Sequence, residues 1–315
     1  MIEKEEQNRI LYGGVRMIKI SEVSKTFDDI EAVKDTSLDI QDGTVFGLLG
    51  TNGAGKSTLL RMMAGVIRPD QGEIFIDDKQ VWDQPELKKR VFYISDDQYF
   101  FANVSPAGMA RFYRNYYPDF DLSRFEKLLC TFDLSLNRKI ATFSKGMKKQ
   151  LSIILGISSG ADYLLCDETF DGLDPVMRQG IKSLFAAEIE ERGLTPVIAS
   201  HNLRELEDIC DHIGLLHKGG VLLSKDLESL KSDLTRIQCV LPADYDDEIR
   251  QKLTLLRMDR RGKLITLTAR GRAEEILKIL SGYDPVYIEA LPLSLEEIFI
   301  SETEVVGYDI KSLIS

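Results

Sequence analysis

The sequence predicts an α/β protein with a largely parallel central sheet, followed by a smaller α/β unit. Strand-like and helix-like segments alternate from residue 17 to about residue 225. A block of consecutive helices interrupts this alternation between residues 99 and 160, and a second alternating stretch follows residue 228. Short apolar runs that alternate with helices are typical of βαβ units and of a parallel sheet. We therefore expect a first domain over residues 17–228 with a helical subdomain at about 99–160, and a second domain over residues 229–315.

The individual elements follow from apolar runs and their spacing. Candidate strands are short runs rich in apolar residues between polar or turn-forming residues, and candidate helices repeat apolar residues three or four positions apart. The strands of the first domain are Ile18–Val23, Ser37–Ile40, Val45–Leu49, Glu73–Ile76, Val91–Ile94, Tyr163–Cys166, Pro196–Ala199 and Ile213–Leu216. The helical subdomain contains Ala107–Tyr117, Ser123–Phe132 and Gly146–Ser158. In the second domain, the strands Ile237–Leu241, Leu264–Leu267 and Pro285–Ile288 alternate with the helices Asp246–Leu253, Arg272–Leu280 and Ser294–Ser301.

The composition is that of a globular protein and excludes several classes. Of 315 residues, 43% are hydrophobic and 29% are charged, and the net charge of −11 argues against a general nucleic-acid binder. No run approaches the roughly 20 apolar residues that cross a bilayer. The four cysteines are scattered without paired spacing, so we expect reduced core residues rather than disulfides or a metal site. These features predict a cytoplasmic protein.

The first 16 residues are polar and lack periodicity, and the first strand begins directly after them at Met17. One interpretation is a disordered tail. The other is that Met17 is the native start and residues 1–16 are an N-terminal extension assigned in error.

A phosphate-binding loop is the most informative motif. Residues 50–58 read Gly-Thr-Asn-Gly-Ala-Gly-Lys-Ser-Thr, between an apolar strand and a helix. The glycines let the backbone aim N–H groups at a polyphosphate, where the helix N-terminus also favours negative charge. Lys56 would reach the β- and γ-phosphates, and Ser57 would bind Mg²⁺. The expected nucleotide contacts are Gly50, Asn52, Gly53, Ala54, Gly55, Lys56, Ser57 and Thr58.

A second nucleotide element is an apolar strand that ends in two carboxylates, Asp167 and Glu168. Asp167 would lie beside the Mg²⁺, and Glu168 would sit where a general base polarises an attacking water. Two acids at a strand end are a weak signal alone. Downstream of a phosphate-binding loop they become a strong one.

Three further segments reveal the family. Residues 143–150 read Phe-Ser-Lys-Gly-Met-Lys-Lys-Gln, residues 171–175 read Asp-Gly-Leu-Asp-Pro, and residues 198–201 read Ile-Ala-Ser-His. With these motifs in order over residues 17–225, the sequence resembles the ATP-binding subunit of an ABC transporter. The resemblance implies the P-loop NTPase core of an ABC ATPase with a helical subdomain insertion.

The resemblance also implies roles for individual residues. Residues 50–58 resemble the Walker A loop, and Asp167 and Glu168 resemble the Walker B aspartate and the catalytic glutamate. Ser144 and Gly146 match the signature motif that binds the γ-phosphate held by the opposite subunit. Asp174 matches a loop at the dimer interface, and His201 matches the histidine that senses the γ-phosphate. The position of Phe27 is that of an aromatic residue that stacks on adenine, although a core role stays open for it.

The sequence departs from the family pattern at several positions. Thr51 replaces a usual proline, Lys145 and Met147 replace a glycine and a glutamine of the signature, and Thr169-Phe170-Asp171 replaces the commoner Pro-Thr-Ser. The glutamine that relays the nucleotide state to the membrane partner is the hardest to place. The aligned residue is Asp96, and Gln98 lies two positions later. We favour Gln98 slightly, because an amide can ligate Mg²⁺ and hydrogen-bond the attacking water.

The resemblance implies an ATPase whose two sites form between two copies or between this chain and another ATPase subunit. It also implies a separate polytopic membrane subunit, with this chain on the inner face of the cell membrane. Tyr99–Phe101 are the candidate contact with that subunit.

The segment Leu295–Ile300 resembles the closing helix of extensions in exporter-type subunits, which suggests export and a dimerising or regulatory second domain. Two rivals are a soluble ABC ATPase that acts on ribosomes or nucleic acid, and a catalytically silent partner, against which the intact Lys56 and Glu168 argue.

Overall fold

The computed structural model describes residues 17–232 and 234–305, which form two compact units divided between Ser224 and Lys225. The strands are β1 Met17–Phe27, β2 Ile30–Gln41, β3 Phe46–Leu49, β4 Gln71–Ile76, β5 Lys79–Gln80, β6 Val91–Ile94, β7 Tyr163–Asp167, β8 Thr195–Ser200, β9 His212–His217, β10 Gly220–Asp226, β11 Leu234–Val240, β12 Leu255–Arg261, β13 Leu264–Arg270 and β14 Tyr287–Leu291. The helices are α1 Lys56–Met63, α2 Pro85–Lys88, α3 Pro106–Tyr113, α4 Leu122–Thr131, α5 Lys145–Ser158, α6 Pro175–Arg192, α7 Leu203–Glu207, α8 Leu227–Ser232, α9 Asp246–Lys252, α10 Ala273–Ser281 and α11 Leu295–Val305. None of the helices in these two ranges has the length and apolar character needed to cross a membrane.

The central sheet of the first unit has the order β10-β9-β3-β8-β7-β6. Strand β3 pairs in parallel with β8 and β9, and β7 pairs in parallel with β6 and β8. Every residue of β3, β7 and β8 is buried, which explains why these strands are continuous apolar runs in the sequence. Their carboxyl ends lie at one edge of the sheet, where the motif residues follow.

The first unit also contains a second sheet, which the expectation of a largely parallel central sheet did not include. It has the order β2-β1-β4-β5, and its neighbouring strands are antiparallel. A turn of two residues joins β1 to β2, with Asp28 at a φ of 50°. Aspartate tolerates this conformation, and so short a turn forces antiparallel pairing. Partial burial along both strands shows that part of the sheet faces solvent.

The core of the first unit lies between these two sheets. Helix α1 contributes Leu59, Leu60 and Met63, which pack with Ile18 of β1 and Val197 of β8. This core fixes the start of α1 relative to the ends of the central strands. The phosphate-binding loop is therefore held between two rigid elements.

The three predicted helices of the helical subdomain are present as α3, α4 and α5, although α3 ends at Tyr113 instead of Tyr117. Residues 114–116 form a turn after the helix, and Tyr117 avoids the helical conformation because Pro118 follows it. Cys130 is exposed on α4, unlike the other three cysteines, which are buried. The expectation of four core cysteines is therefore wrong for Cys130, because the buried residues of α4 are Phe125, Leu128 and Leu129.

The second unit contains an antiparallel sheet of order β12-β13-β11-β14. From β11 to β14 the elements follow the pattern βαββαβ, which is that of a ferredoxin-like fold. Ile237 of β11 and Leu267 of β13 pack with Ile249 of α9 and Leu280 of α10. The sequence-based prediction missed β12, since this edge strand is partly or fully exposed throughout and carries few apolar residues.

Candidate nucleotide site

The phosphate-binding loop connects β3 to α1, and Lys56 is the first residue of the helix. Gly55 caps α1 in the left-handed conformation, with φ at 103°. A Cβ at this position would lie 2.3 Å from the carbonyl oxygen of Ala32. Only glycine therefore fits between the loop and strand β2. The arrangement points the N-terminus of an eight-residue helix towards the space where a phosphate would bind.

The ammonium group of Lys56 is held inside the loop. Its Nζ donates hydrogen bonds to the carbonyl oxygens of Gly50 and Thr51 at 2.7 and 3.2 Å. It also lies 3.1 Å from Oε1 of Glu168, and the side chain is only 5% exposed. A buried cation with these partners is oriented before any polyphosphate arrives.

Ser57 and Asp167 provide oxygen ligands next to the lysine. The Ser57 hydroxyl donates to Oδ1 of Asp167 at 2.9 Å. Burial raises the pKa of Asp167, while hydrogen bonds from Ser57 and Tyr93 act in the opposite direction. In the residues that the structure describes, no group of three or more His, Cys, Asp or Glu side chains forms a metal cage. This donor set fits Mg²⁺, which proteins bind through one or two carboxylates together with substrate phosphates.

Glu168 joins the lysine to His201. Its Oε2 lies 2.8 Å from Nδ1 of His201, and its backbone N–H donates to the Ala199 carbonyl at 3.0 Å. The Glu168 backbone is left-handed, with φ at 47°. The buried Lys149 supports this turn by donating to the carbonyl oxygens of Glu168 and Asp171 at 2.7 and 2.8 Å. The carboxylate is thus fixed at the ends of two neighbouring strands, where it can accept a proton from a water.

The signature residues lie outside this cluster of side chains. Ser144 is exposed, and its Oγ caps α5 by accepting from the Met147 N–H at 3.1 Å. Asp174 is also exposed and caps α6 by accepting from the Met177 N–H at 2.9 Å. Gly146 lies in the first turn of α5. None of the described hydrogen bonds or ion pairs links Ser144 or Asp174 to Lys56.

Two of the predicted site residues make contacts elsewhere. The Gln98 amide donates to the carbonyl oxygens of Ser95 and Asp96 at 3.1 and 3.0 Å, and no described hydrogen bond joins it to Ser57 or Asp167. Phe27 is 42% exposed, and the Lys25 ammonium lies 5.4 Å from its ring centroid. The ring is therefore accessible, as a residue that stacks on a base must be.

Sequence reasoning missed two residues near the Asp167 carboxylate. Tyr93 contacts the carboxylate directly, and Arg61 contacts Tyr93. The Tyr93 hydroxyl donates to Oδ2 of Asp167 at 3.0 Å, and Arg61 Nε donates to the same hydroxyl at 3.3 Å. The sequence carries no motif at Tyr93, and its contact with Asp167 follows from the pairing of β6 with β7. Tyr93 is opposite Leu165, two residues before Asp167, and residues two apart share a face of a strand.

Aromatic rings connect the end of the central sheet to the surface of the helical subdomain. The ring of Phe92 lies 5.1 Å from Tyr113, Phe112 lies 4.8 Å from Phe101, and Phe101 lies 5.9 Å from Tyr99. Tyr99 is 78% exposed and Phe101 is 41% exposed. Exposed aromatic residues of this kind are enriched at protein interfaces.

Comparison with known proteins agrees with this geometry. The family model described as ABC transporter matches residues 33–171. The chain is 32% identical to the ABC transporter ATP-binding protein YtrB of Bacillus subtilis, over 91% of this chain and 98% of YtrB. It is 30% identical to the methionine import ATP-binding protein MetN of Clostridium acetobutylicum, over 75% of this chain and 77% of MetN. A solved ATP-binding subunit of an ABC transporter superposes with a TM-score of 0.63 at 25% identity, over 68% of this chain and 92% of that chain.

The fold, the motifs and the relatives lead to the same conclusion and confirm the resemblance inferred from the sequence. The predicted P-loop core of ABC ATPase type is present. The chain belongs to the family of ABC transporter ATP-binding proteins, and it is an ATP-binding, ATP-hydrolysing subunit of such a transporter.

Proposed function

We propose that the chain binds ATP with Mg²⁺ in the cluster formed by the phosphate-binding loop and the ends of β7 and β8, and hydrolyses it with Glu168 as general base. The observation that carries this proposal is the Glu168 carboxylate, which lies 3.1 Å from Lys56 through Oε1 and 2.8 Å from His201 through Oε2. A base must be positioned next to the groups that bind the reacting phosphate. The Glu168 carboxylate has this position, because Lys56 and His201 lie on either side of it.

Each residue of the cluster has a defined task in this proposal. The N–H groups of residues 50–58 and the N-terminus of α1 bind the phosphates, and the Lys56 ammonium neutralises the β- and γ-phosphate oxygens. Ser57 and Asp167 would hold Mg²⁺, which would withdraw charge from the phosphate oxygens when bound. Glu168 accepts the proton of the attacking water, and His201 senses the γ-phosphate from the far side of the carboxylate. Phe27 offers a ring face to adenine.

The second half of each site would come from a partner ATPase subunit. ATP-binding cassettes of this family form dimers. Ser144 and Gly146 lie at the exposed N-terminus of the 14-residue helix α5, a position that favours an anion. We propose that this helix end binds the γ-phosphate held by the opposite subunit, and that Asp174 contacts the partner at the same interface. A homodimer with two working sites is the simplest form, and a heterodimer remains the alternative.

We further propose that Tyr99–Phe101 contact a polytopic membrane subunit, with this chain on the inner face of the membrane. The exposed rings of Tyr99 and Phe101 support this, because they continue into the aromatic cluster that ends at Phe92 of the central sheet. Motion at the nucleotide would pass to the membrane subunit through this cluster. Gln98 or Asp96 would relay the nucleotide state to the membrane subunit, because both residues lie in the loop directly before Tyr99.

The direction of transport is proposed to be export, and the second domain is proposed to support dimerisation or regulation. The support is the resemblance of Leu295–Ile300, within α11, to the closing helix of exporter-type extensions. Deleting an export ATPase raises the cellular content of its cargo, whereas deleting an import ATPase lowers it. Comparing metabolites of deleted and complemented cells tests the direction, and depletion of the cargo in the deleted cells would overturn export.

The substitution Glu168→Gln tests the catalytic assignment. It keeps the size of the side chain and removes the base, so we expect retained ATP binding, ATP-dependent dimers and a turnover reduced by about 100-fold or more. Turnover is measured as phosphate release, and dimers by size-exclusion chromatography with light scattering. Glu190→Gln on the exposed side of α6 is the control and should behave as wild type. Wild-type turnover in Glu168→Gln would show that another group is the base.

The same variant identifies the partner. Tagged Glu168→Gln protein is recovered with ATP from detergent-solubilised native membranes, and its stoichiometric partners are identified by mass spectrometry. A polytopic membrane protein at a one-to-one ratio is expected. Ribosomal proteins or nucleic acid, without a membrane protein, would instead favour an ATPase that acts outside transport.

A further inference from the structure

Strand β6 presents two neighbouring side chains to opposite faces of the central sheet. The Phe92 ring lies 5.1 Å from Tyr113 and 5.3 Å from Tyr117, both in the helical subdomain. The next residue, Tyr93, packs against the core that contains α1, and its hydroxyl reaches Asp167. Successive residues of a strand alternate between faces, so this four-residue strand contacts both the helical subdomain and the nucleotide site.

The Tyr93 hydroxyl completes the hydrogen bonding of a buried carboxylate. Asp167 is 1% exposed, and its oxygens each receive one hydroxyl, Oδ1 from Ser57 and Oδ2 from Tyr93. Arg61 of α1 donates in turn to the Tyr93 oxygen at 3.3 Å, which orients the phenol. A carboxylate bonded through both oxygens is restricted in rotation about its last bond.

Tyr93 also lies two residues before Ser95, where the loop of residues 95–98 begins, and this loop contains both candidates for the relay role. The Gln98 amide is bonded to carbonyl oxygens of this loop itself. Tyr93 is bonded to Asp167. Among the described contacts, the connection from this loop to the proposed Mg²⁺ ligands therefore runs through the tyrosine and not through the amide.

We propose that Tyr93 is a positioning residue for the Mg²⁺ site, which fixes the Asp167 carboxylate and couples it to the loop of residues 95–98. The proposal rests on the proposed role of Asp167 as a Mg²⁺ ligand. Groups that hydrogen-bond a metal ligand set its orientation, and their loss typically weakens metal binding by about 10- to 100-fold. Coupling is reciprocal, so Mg²⁺ with nucleotide must also change the mobility of the loop.

The test compares Tyr93→Phe with a matched control, Tyr117→Phe. Both variants remove one phenolic hydroxyl that donates a hydrogen bond at β6. The Tyr117 hydroxyl donates to the Val91 carbonyl at 2.9 Å, and the Tyr117 ring packs on Phe92. Binding of a fluorescent ATP analogue is titrated in EDTA and then with increasing Mg²⁺, and Mn²⁺ binding is followed by electron paramagnetic resonance with ADP present. In Tyr93→Phe, binding in EDTA should match wild type, while half-saturation should need about 10-fold more Mg²⁺ or Mn²⁺.

In Tyr117→Phe, the metal dependence should equal that of wild type. Equal metal dependence in Tyr93→Phe and Tyr117→Phe would overturn the positioning role. Arg61→Gln, which leaves the phenol in place but removes the charged donor to it, should give a smaller shift in the same direction. Far-UV circular dichroism and thermal unfolding of the three variants show whether each is folded. Weak binding of nucleotide in EDTA, if restricted to Tyr93→Phe, would assign the residue to nucleotide binding and contradict the proposal.

The coupling has its own readout. Hydrogen exchange of residues 95–101 is measured by mass spectrometry with nucleotide, in the presence and absence of Mg²⁺ at saturating concentration for each variant. Wild type and Tyr117→Phe should show a Mg²⁺-dependent change in this segment, and Tyr93→Phe should lose it. A retained change in Tyr93→Phe would show that the loop senses the metal by another route. If the wild type itself binds and hydrolyses ATP without dependence on Mg²⁺, the proposed Mg²⁺ site fails, and this outcome is distinct from failure of Tyr93 alone.

Discussion

The substitution Lys149→Met tests whether one buried ammonium holds the turn that carries the proposed general base. Lys149 is 8% exposed, and the hydrogen bonds described for its ammonium go to the carbonyl oxygens of Glu168 and Asp171, at 2.7 and 2.8 Å. Methionine is similar in length and apolar. The change therefore removes two charge-assisted hydrogen bonds while the space stays filled.

The expected loss of stability follows from those two bonds. Leaving a buried acceptor without its donor costs about 1–3 kcal/mol, so two acceptors with partial access to water predict a loss of about 2–4 kcal/mol. At about 2–4 °C per kcal/mol for a domain of this size, Tm should fall by about 4–16 °C. The left-handed Glu168 backbone, at φ 47°, then loses a support that keeps it in an uncommon conformation, and turnover should fall together with Tm.

Thermal unfolding and phosphate release are measured for wild type, Lys149→Met and the neighbouring control Lys148→Met. Lys148 is half-buried in the same turn of α5, and no described hydrogen bond of its side chain reaches the Glu168 turn. The control should stay close to wild type in both measurements. A Tm for Lys149→Met equal to that of Lys148→Met, with unchanged turnover, would refute the reasoning that this ammonium positions Glu168.

Two further predictions concern the loop and the buried carboxylate. Gly55→Ala should abolish ATP binding, measured with a fluorescent analogue, because its Cβ would lie 2.3 Å from the Ala32 oxygen at a φ of 103°. Gly262→Ala, at a φ of 62° with open space around the new Cβ, should cost about 1–2 kcal/mol of stability and leave binding intact. Asp167→Asn should raise Tm near neutral pH. Burial raises the pKa of Asp167, so the folded state disfavours its ionised form, and the gain should disappear as the pH falls below the ordinary aspartate value. A gain that grows towards acid pH would contradict this sign.

The nucleotide cluster was largely predictable because parallel strands align the residues that follow them. Strand β6 has the predicted bounds, β3 and β7 differ from the prediction by one residue at one end, and β8 is longer than predicted by one residue at each end. Sequence motifs alone then indicated that Lys56, Asp167, Glu168 and His201 converge. The sequence marks these positions because a continuous apolar strand ends where a polar motif begins.

The antiparallel sheet and the position of Gln98 were not predictable in the same way. The pairing partner of a strand depends on tertiary contacts, and the paired residues of β1 and β4 are 47 to 58 positions apart in sequence. The Gln98 amide is hydrogen-bonded to carbonyl oxygens of its own loop. These oxygens compete with the nucleotide site for the amide, and the sequence does not show which of the two binds it. Tyr93 was missed for the opposite reason, since a tyrosine in an apolar strand gives no motif until the register with β7 is known.

The alternation of Phe92 and Tyr93 limits how this segment can change in length. Deleting or inserting one residue inside β6 would exchange the two faces of the strand, because the side-chain period of a strand is two. The phenyl ring would then face the Asp167 carboxylate, and the phenol would enter the aromatic packing of the helical subdomain. Both sets of contacts would be lost through a single event. Changes in chain length are therefore accommodated after Ile94, where the strand has ended, and not within its four residues.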